Sequence, residues 1–359
     1  MTDTPPTGTH AAPTTEQILE VLTEYDIGTI RGWAPAGGTA GKTWKVDTNT
    51  GSYFLRLRGV RTSSEARLSF DHGLRDHLVA HGIPTAASIR ARNGNRWHRH
   101  PGGVYELYPF VAGYAFHPET MDQVAAAARA LARYHRVAAG FVPPENPERI
   151  AQYTTLGFSD RTSDRMDDPL LLLENLEGVA GLASGAGTGT QALIRRCMAR
   201  VEDMNRDYAG PAYDRLSGWI IHGDYTPANV LFSAAGEVAG IFDLDWAFPG
   251  PRCRDVADGL FFFATVPRQI DAGCIWSLTA AAAFDPERCR VFLQAYQKTA
   301  PLQQPELRAV PAAFAGRWLS IRLEGMAKVD PSRRVEFFSR DVEAPMQWLD
   351  RHWPDLGGV

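Results

Sequence analysis

The stretch Ile220-Ile-His-Gly-Asp224-Tyr-Thr-Pro-Ala-Asn229-Val-Leu-Phe232, continued by Val238-Ala-Gly-Ile-Phe-Asp243-Leu-Asp245, decides how the chain is read. Short apolar runs rich in β-branched and aromatic residues bracket the polar positions, and Gly236-Glu237 supplies a turn between two of them. Strands therefore hold Asp224, Asn229 and Asp243 at their ends and in the loops that join them. Carboxylate and amide oxygens are hard donors, suited to a divalent cation carrying phosphates, and a further carboxylate can orient and deprotonate a hydroxyl. Asp224 is read as that base and Asn229 and Asp243 as cation ligands. Asp245 is read as a ligand of a second ion or a brace of its loop. His222 is taken as a structural residue that bonds the loop backbone.

In order and spacing these strings resemble the aminoglycoside phosphotransferase family, which shares its fold with protein kinases and includes choline kinases and homoserine-kinase-like enzymes. His222-Gly-Asp224-x4-Asn229 is similar to the family's catalytic loop and matches the Asp-to-Asn spacing of the protein-kinase element. Asp243-Leu-Asp245 resembles the counterpart of the kinase D-F-G. Pro249-Gly250 with Asp255-Val-Ala257 resembles the turn and helix start that follow, which makes Asp255 a support of the loop. Ala130-Leu-Ala-Arg-Tyr-His135 is similar to the helix that precedes the substrate-binding segment. The resemblance implies an α+β, bilobal protein-kinase-like fold with a β-rich N-terminal lobe and a mostly helical C-terminal lobe. It also implies Mg²⁺, ATP or GTP as phosphoryl donor, and a small-molecule alcohol as acceptor.

Working outward toward the N-terminus, residues 1–14 read as a flexible tail, 15–110 as the nucleotide-binding lobe and 111–359 as the catalytic and substrate-binding lobe. Helical spacing of Ile18, Leu19 and Leu22 predicts a first helix, with Thr14 or Thr15 as its cap. Gly37-Gly-Thr-Ala-Gly-Lys-Thr43 then enters a hairpin of Trp44–Asp47 and Tyr53–Arg58. It lacks the first glycine of a P-loop and leads into a strand, where a P-loop would open a helix. The resemblance nevertheless puts Gly38, Thr39, Lys42 and Thr43 over the nucleotide and Arg56 on its phosphates, where the family often carries Lys. Leu68, Leu74 and Leu78 predict a helix over 63–81, ended by Gly82-Ile-Pro84. On it Asp71, ahead of Glu65, is expected to pair with Arg56, because it falls on the apolar stripe. Strands are expected at Ala87–Arg92 and Val104–Phe110, and Tyr108 and Phe110 lie where the hinge would face the nucleotide base.

A net charge of -4 without a basic run argues against a nucleic-acid partner. The absence of an apolar run of membrane-spanning length argues against a membrane one, and the Thr/Pro/Ala-rich start without a signal-peptide pattern reads as cytoplasmic. Cys197, Cys253, Cys274 and Cys289 lack C-x-x-C spacing and read as reduced thiols. His98 and His100 alternate, but in a polar setting that reads as a hairpin tip, not a metal site. Abundant Arg, Ala, Gly and Pro beside only Lys42, Lys45, Lys298 and Lys328 look like coding from a GC-rich bacterial genome. On that ground an antibiotic or other natural product, with a possible resistance role, leads as acceptor, closely followed by homoserine, choline or another amino alcohol. A nucleotide-binding pseudokinase regulator is the contrasting class, and it would require damage at Asp224, Asn229 or Asp243.

Overall fold

The computed structural model describes residues 12–36, 42–144, 153–216, 218–266, 274–280 and 284–356. Its N-terminal part is one antiparallel sheet in the order β1-β2-β3-β5-β4, with β1 Ile30–Pro35, β2 Thr43–Thr48, β3 Ser52–Leu57, β4 His98–His100 and β5 Gly103–Pro109. Successive side chains of a strand point to opposite faces, so Trp44 and Val46 of β2 and Leu55 and Leu57 of β3 enter one core with Tyr105 and Leu107 of β5. Helix α1, Thr15–Thr23, closes that core with Ile18, Val21 and Leu22. A reciprocal capping box between Thr14 and Gln17 fixes its first turn.

Helix α2, Glu65–Ala80, begins at Ser64, whose hydroxyl accepts the Arg67 N–H, and ends before Gly82, which takes φ +72°. It serves two masters. Leu68 packs with Trp97 and Val104 on the sheet side, while Phe70, Leu74 and Leu78 join the large core of the helical part. Each fully buried leucine contributes roughly 1.5–3 kcal/mol, so α2 is anchored to both parts, and Asp71 on its stripe is carried into the interior.

The expected strand at Ala87–Arg92 does not form. Its backbone groups go elsewhere: Ala91 N–H donates to Asn95, Arg92 N–H to Glu24, and only Ile89 N–H reaches β5, at Leu107. The edge strand is instead β4, where His98 and His100 lie beside Glu24 and Glu20 at 4.0 and 3.0 Å.

After β5 the chain passes Gly113, where a Cβ would stand 2.9 Å from Leu231 Cβ. Tyr114 then exchanges both backbone hydrogen bonds with Phe232. Helices α3 Met121–Ala138, α4 Pro169–Leu182, α5 Thr188–Tyr208 and α6 Gly210–Leu216 precede a β island. The island holds β6 Trp219–Ile221, paired antiparallel with β9 Phe248–Gly250, and the hairpin β7 Val230–Phe232 with β8 Val238–Ile241. Helices α7 Cys253–Phe263, α8 Pro286–Gln297, α9 Gln304–Met326, α10 Arg334–Ser339 and α11 Ala344–Leu356 complete the helical part. The Phe261–Phe263 and Trp318–Leu323 segments face its core. All four cysteines are free, with only Cys274 exposed. No helix among the described residues is long and apolar enough to cross a membrane.

Candidate active site

The loop from His222 to Asn229 leaves β6 and is clamped from below by Asp255 of α7. The Asp255 carboxylate accepts the His222 N–H at 2.6 Å and the Gly223 N–H at 2.9 Å, and a ring nitrogen of His135 lies 2.9 Å from it. Burial raises the pKa of Asp255, but the His135 hydrogen bond and the neighbouring imidazoles outweigh it and leave the group below the ordinary carboxylate range. His222 turns its Nε2–H toward the Phe242 carbonyl at 2.9 Å and accepts the Asp224 N–H on Nδ1 at 3.3 Å. With both ring nitrogens so engaged, His222 stitches the loop to the end of β8.

Gly223 is required here. Its φ is +82°, and a Cβ would lie 2.1 Å from the carbonyl oxygen of Trp246. That contact places the Asp224 loop directly against the Asp243–Trp246 turn. Asp243 itself takes φ +57°, an uncommon conformation for a residue with a side chain. Trp246 packs into a small cluster with Tyr153, Met166, Ile221 and Phe248 beside the loop.

Asp224 keeps 28% of its side chain exposed and is held at both oxygens. Asn229 Nδ2 donates to Oδ2 at 3.0 Å, and Arg317 of α9 donates to Oδ1 at 2.7 Å. The Asn229 Nδ2 also reaches the Asp224 backbone carbonyl at 2.9 Å, which leaves the amide oxygen as the free end of that side chain. Asp243 has 36% of its side chain exposed. Burial, and then the charges of Asp245 and Asp224, push its pKa up against the pull of Arg56.

Arg56 crosses from β3 to this turn. Its guanidinium donates to both Asp245 oxygens, at 2.9 and 2.7 Å, and to Asp243 Oδ1 at 3.1 Å. Such fork-to-fork geometry is open to Arg and closed to Lys. Asp245 is 5% exposed, and Thr62 Oγ1 also donates to it at 3.0 Å. Both Asp245 oxygens therefore take part in ion pairs, with Arg56 and, at 3.2 Å, with Arg58.

The expected Arg56–Asp71 pair is not what forms. Asp71 is buried as expected, but it accepts from Arg58 Nη1 at 2.5 Å and lies 3.3 Å from Arg75 Nε. Glu65 sits on the exposed side near Arg99. The reason is the two-residue period of β3. Arg56 and Arg58, the latter one residue past the end of β3, share one face; Arg58, fully buried, meets Asp71 of α2 and also reaches Asp245 at 3.2 Å, while Arg56 meets the Asp243–Asp245 turn. Glu106 of β5, also fully buried, joins both, at 2.7 Å from Arg58 and 3.8 Å from Arg56.

Of the other sequence-predicted positions, Lys42 precedes β2 and Thr43 begins it, with Thr43 opposite Arg56 and the Lys42 carbonyl accepting Leu57 N–H. Gly38 and Thr39 lie outside the described residues. Tyr108 is buried with Arg75 against its ring, and Phe110 is exposed beneath Lys45. Arg58, Glu106, Asp258 and Arg317 were missed. The Arg56-x-Arg58 alternation was a usable signal for the first, whereas nothing local marks Arg317, which lies 93 residues from Asp224.

The donor set suits a divalent cation of the Mg²⁺ type. Asn229 and Asp243 offer only oxygen, and among the described residues no three His, Cys, Asp or Glu side chains close a cage. Mg²⁺ is typically bound through one or two protein oxygens, with phosphates and water completing its shell.

A homoserine kinase from Parvibaculum lavamentivorans is 26% identical over 341 residues, covering 94% of this chain and 92% of that one. Two solved structures share the fold at 15% identity. They are an aminoglycoside phosphotransferase from Alicyclobacillus acidocaldarius, with TM-score 0.63 over 97% of this chain and 98% of its own, and a microcompartment-associated aminopropanol kinase, with TM-score 0.61 over 96% and 99%. The model of the APH phosphotransferase enzyme family matches residues 33–292, most of the chain, so this protein is a member of that family with a protein-kinase-like fold.

Proposed function

We propose that the protein transfers the γ-phosphoryl group of ATP or GTP to a hydroxyl of a small amino alcohol, with homoserine the first candidate. The observation that carries this reading is the meeting of Asp224, Asn229 and Asp243 on two touching turns, with Arg56 tying the second turn to the nucleotide-side sheet. Asp224 orients the acceptor hydroxyl and takes its proton. Asn229 and Asp243 would hold Mg²⁺, whose charge offsets that of the phosphates when it is bound. Arg56 faces the phosphate tail while its other edge stays on Asp245, and the segment of Lys42 and Thr43 covers the nucleotide with Gly38 and Thr39. Tyr108 and Phe110 flank the base, while His222 and Asp255 keep the loop in register. Asp71 acts at one remove, through Arg58.

Homoserine or a related amino alcohol is placed ahead of an antibiotic because homoserine kinases align over nine-tenths of the chain, whereas the aminoglycoside phosphotransferase neighbour, at 15% identity, speaks to fold alone. The test is a panel of homoserine, choline, aminopropanol and aminoglycosides with ATP and with GTP, reading triphosphate consumption and product mass. A phosphorylated amino alcohol supports the proposal. Phosphorylation of an aminoglycoside alone would move the acceptor to the antibiotic class. Nucleotide binding without transfer to any alcohol would favour the regulator.

A further inference from the structure

Arg317 reaches the loop carboxylate from the middle of α9. Its Nη2 donates to Asp224 Oδ1 at 2.7 Å, its Nε donates to Asp258 Oδ1 at 2.9 Å, and its Nη1 abuts the Met166 sulfur at 2.7 Å. Asn229 holds the other Asp224 oxygen. A carboxylate offers about four lone-pair directions. Tying each oxygen once, from opposite sides, fixes the plane of the group and still leaves a lone pair on each for a hydroxyl.

The guanidinium is itself fixed. Asp258 of α7 is fully buried, and the side chain of Arg317 is 10% exposed. The α9 backbone is closely packed at this turn: a Cβ at the adjacent Gly316 would meet Met204 Cε at 2.7 Å and Asp167 Cβ at 3.2 Å. Stability alone does not account for the arrangement. Asp258 Oδ2 is buried without a hydrogen-bond partner among the described residues, and burial pushes that carboxyl up to about 7 against the pull of Arg317 and Arg254. A buried ion pair carries a desolvation cost that its attraction need not recover. Such a costly group, placed one guanidinium away from a reacting carboxylate, is the pattern expected of a functional device.

We propose that Arg317 is a positioning residue: anchored by Asp258, it sets the rotamer of Asp224 so that the carboxylate meets the acceptor hydroxyl. The inference rests on Asp224 being the base of the proposed transfer. The chain Asp258–Arg317–Asp224 then ties the reacting group to the packing of α7 against α9, independently of the Asp255 clamp beneath the loop.

The test uses the full chain carrying Arg317→Met together with Asp258→Asn, so that neither member of the Arg317–Asp258 pair is left charged without the other. Melting temperature and nucleotide affinity should stay near those of the wild type. Turnover should fall on the order of 10²-fold, the cost of a misplacement near 1 Å, with acceptor KM changed less than about threefold. In a crystal structure of this variant, Asp224 should leave its Asn229 contact. Arg317→Lys, which keeps a charge beside Asp258 but cannot span both carboxylates, is a second variant with the same expected split. Unchanged turnover in either folded variant would overturn the proposal. So would a rise in acceptor KM with turnover kept, since Arg317 would then bind the acceptor, or a crystal structure with Asp224 unmoved. An active Asp224→Ala enzyme would instead remove Asp224 as the base of the proposed transfer, and the crystal structure would still decide whether Arg317 holds Asp224.

Discussion

Replacing Gly223 by Ala should disable the site while leaving every side chain in it intact. The added methyl would sit 2.1 Å from the Trp246 carbonyl oxygen, where real contacts begin near 3 Å. The two turns must therefore part by roughly 1 Å, since a backbone atom cannot yield as a side-chain tip does. Gly223 adjoins Asp224, and Trp246 adjoins Asp245, so the displacement falls on the separation between the base and the cation-binding turn. Misplacement of that size costs on the order of 10²-fold in rate. The left-handed φ adds about 1–2 kcal/mol of instability for a residue with a Cβ. Turnover with homoserine and urea unfolding, measured side by side, check the two effects. A Gly223→Ala protein with wild-type turnover and stability would refute the close approach on which the geometry depends.

Asp224→Ala should bind nucleotide normally and lose about 10²- to 10⁴-fold in turnover, as loss of a general base does; calorimetric nucleotide binding beside the transfer assay reads both. Arg58→Met strands the buried carboxylates of Asp71 and Glu106 and should cost about 3–5 kcal/mol in chemical unfolding, with a loss below about 1 kcal/mol speaking against the buried network. Burial holds the Asp258 carboxyl at about 7, far above its value in an unfolded chain. The folded state therefore binds that proton more tightly, and the associated stability is present at low pH and lost as pH rises through 7. Asp258→Asn should remove that decline, so its melting temperature should vary less between pH 5 and 8 than that of the wild type; parallel curves would contradict the assignment.

The reach of the sequence follows the range of the interactions. Thr14 at the start of α1 and Gly82 at the end of α2 are local devices, and with the apolar spacing between them they made these helices legible. The Asp224 loop and the Asp243 turn were legible because their polar residues are fixed by neighbouring strands of a short hairpin. Ala87–Arg92 misled because an apolar alternation states that a strand is possible but not whether a partner is free, and β5 takes β3 on one side and β4 on the other. Asp71 was legible as buried, from the stripe it shares with Leu74 and Leu78. Its partner was not, since Arg56 and Arg58 offer identical chemistry two residues apart and only the tertiary packing of α2 chooses between them. Arg317 and Asp258 meet Asp224 through helices brought together by core packing, and no spacing in the chain encodes that meeting.

The central claim is that Asp224, Asn229 and Asp243 converge on one magnesium-bound triphosphate. A crystal structure with Mg²⁺ and a non-hydrolysable ATP analogue tests it most directly. The account predicts the ion between the Asn229 amide oxygen and the Asp243 carboxylate, with the terminal phosphate turned toward Asp224 and Arg56 beside the phosphate tail. A triphosphate bound elsewhere, or an ion that engages neither Asn229 nor Asp243, would contradict it.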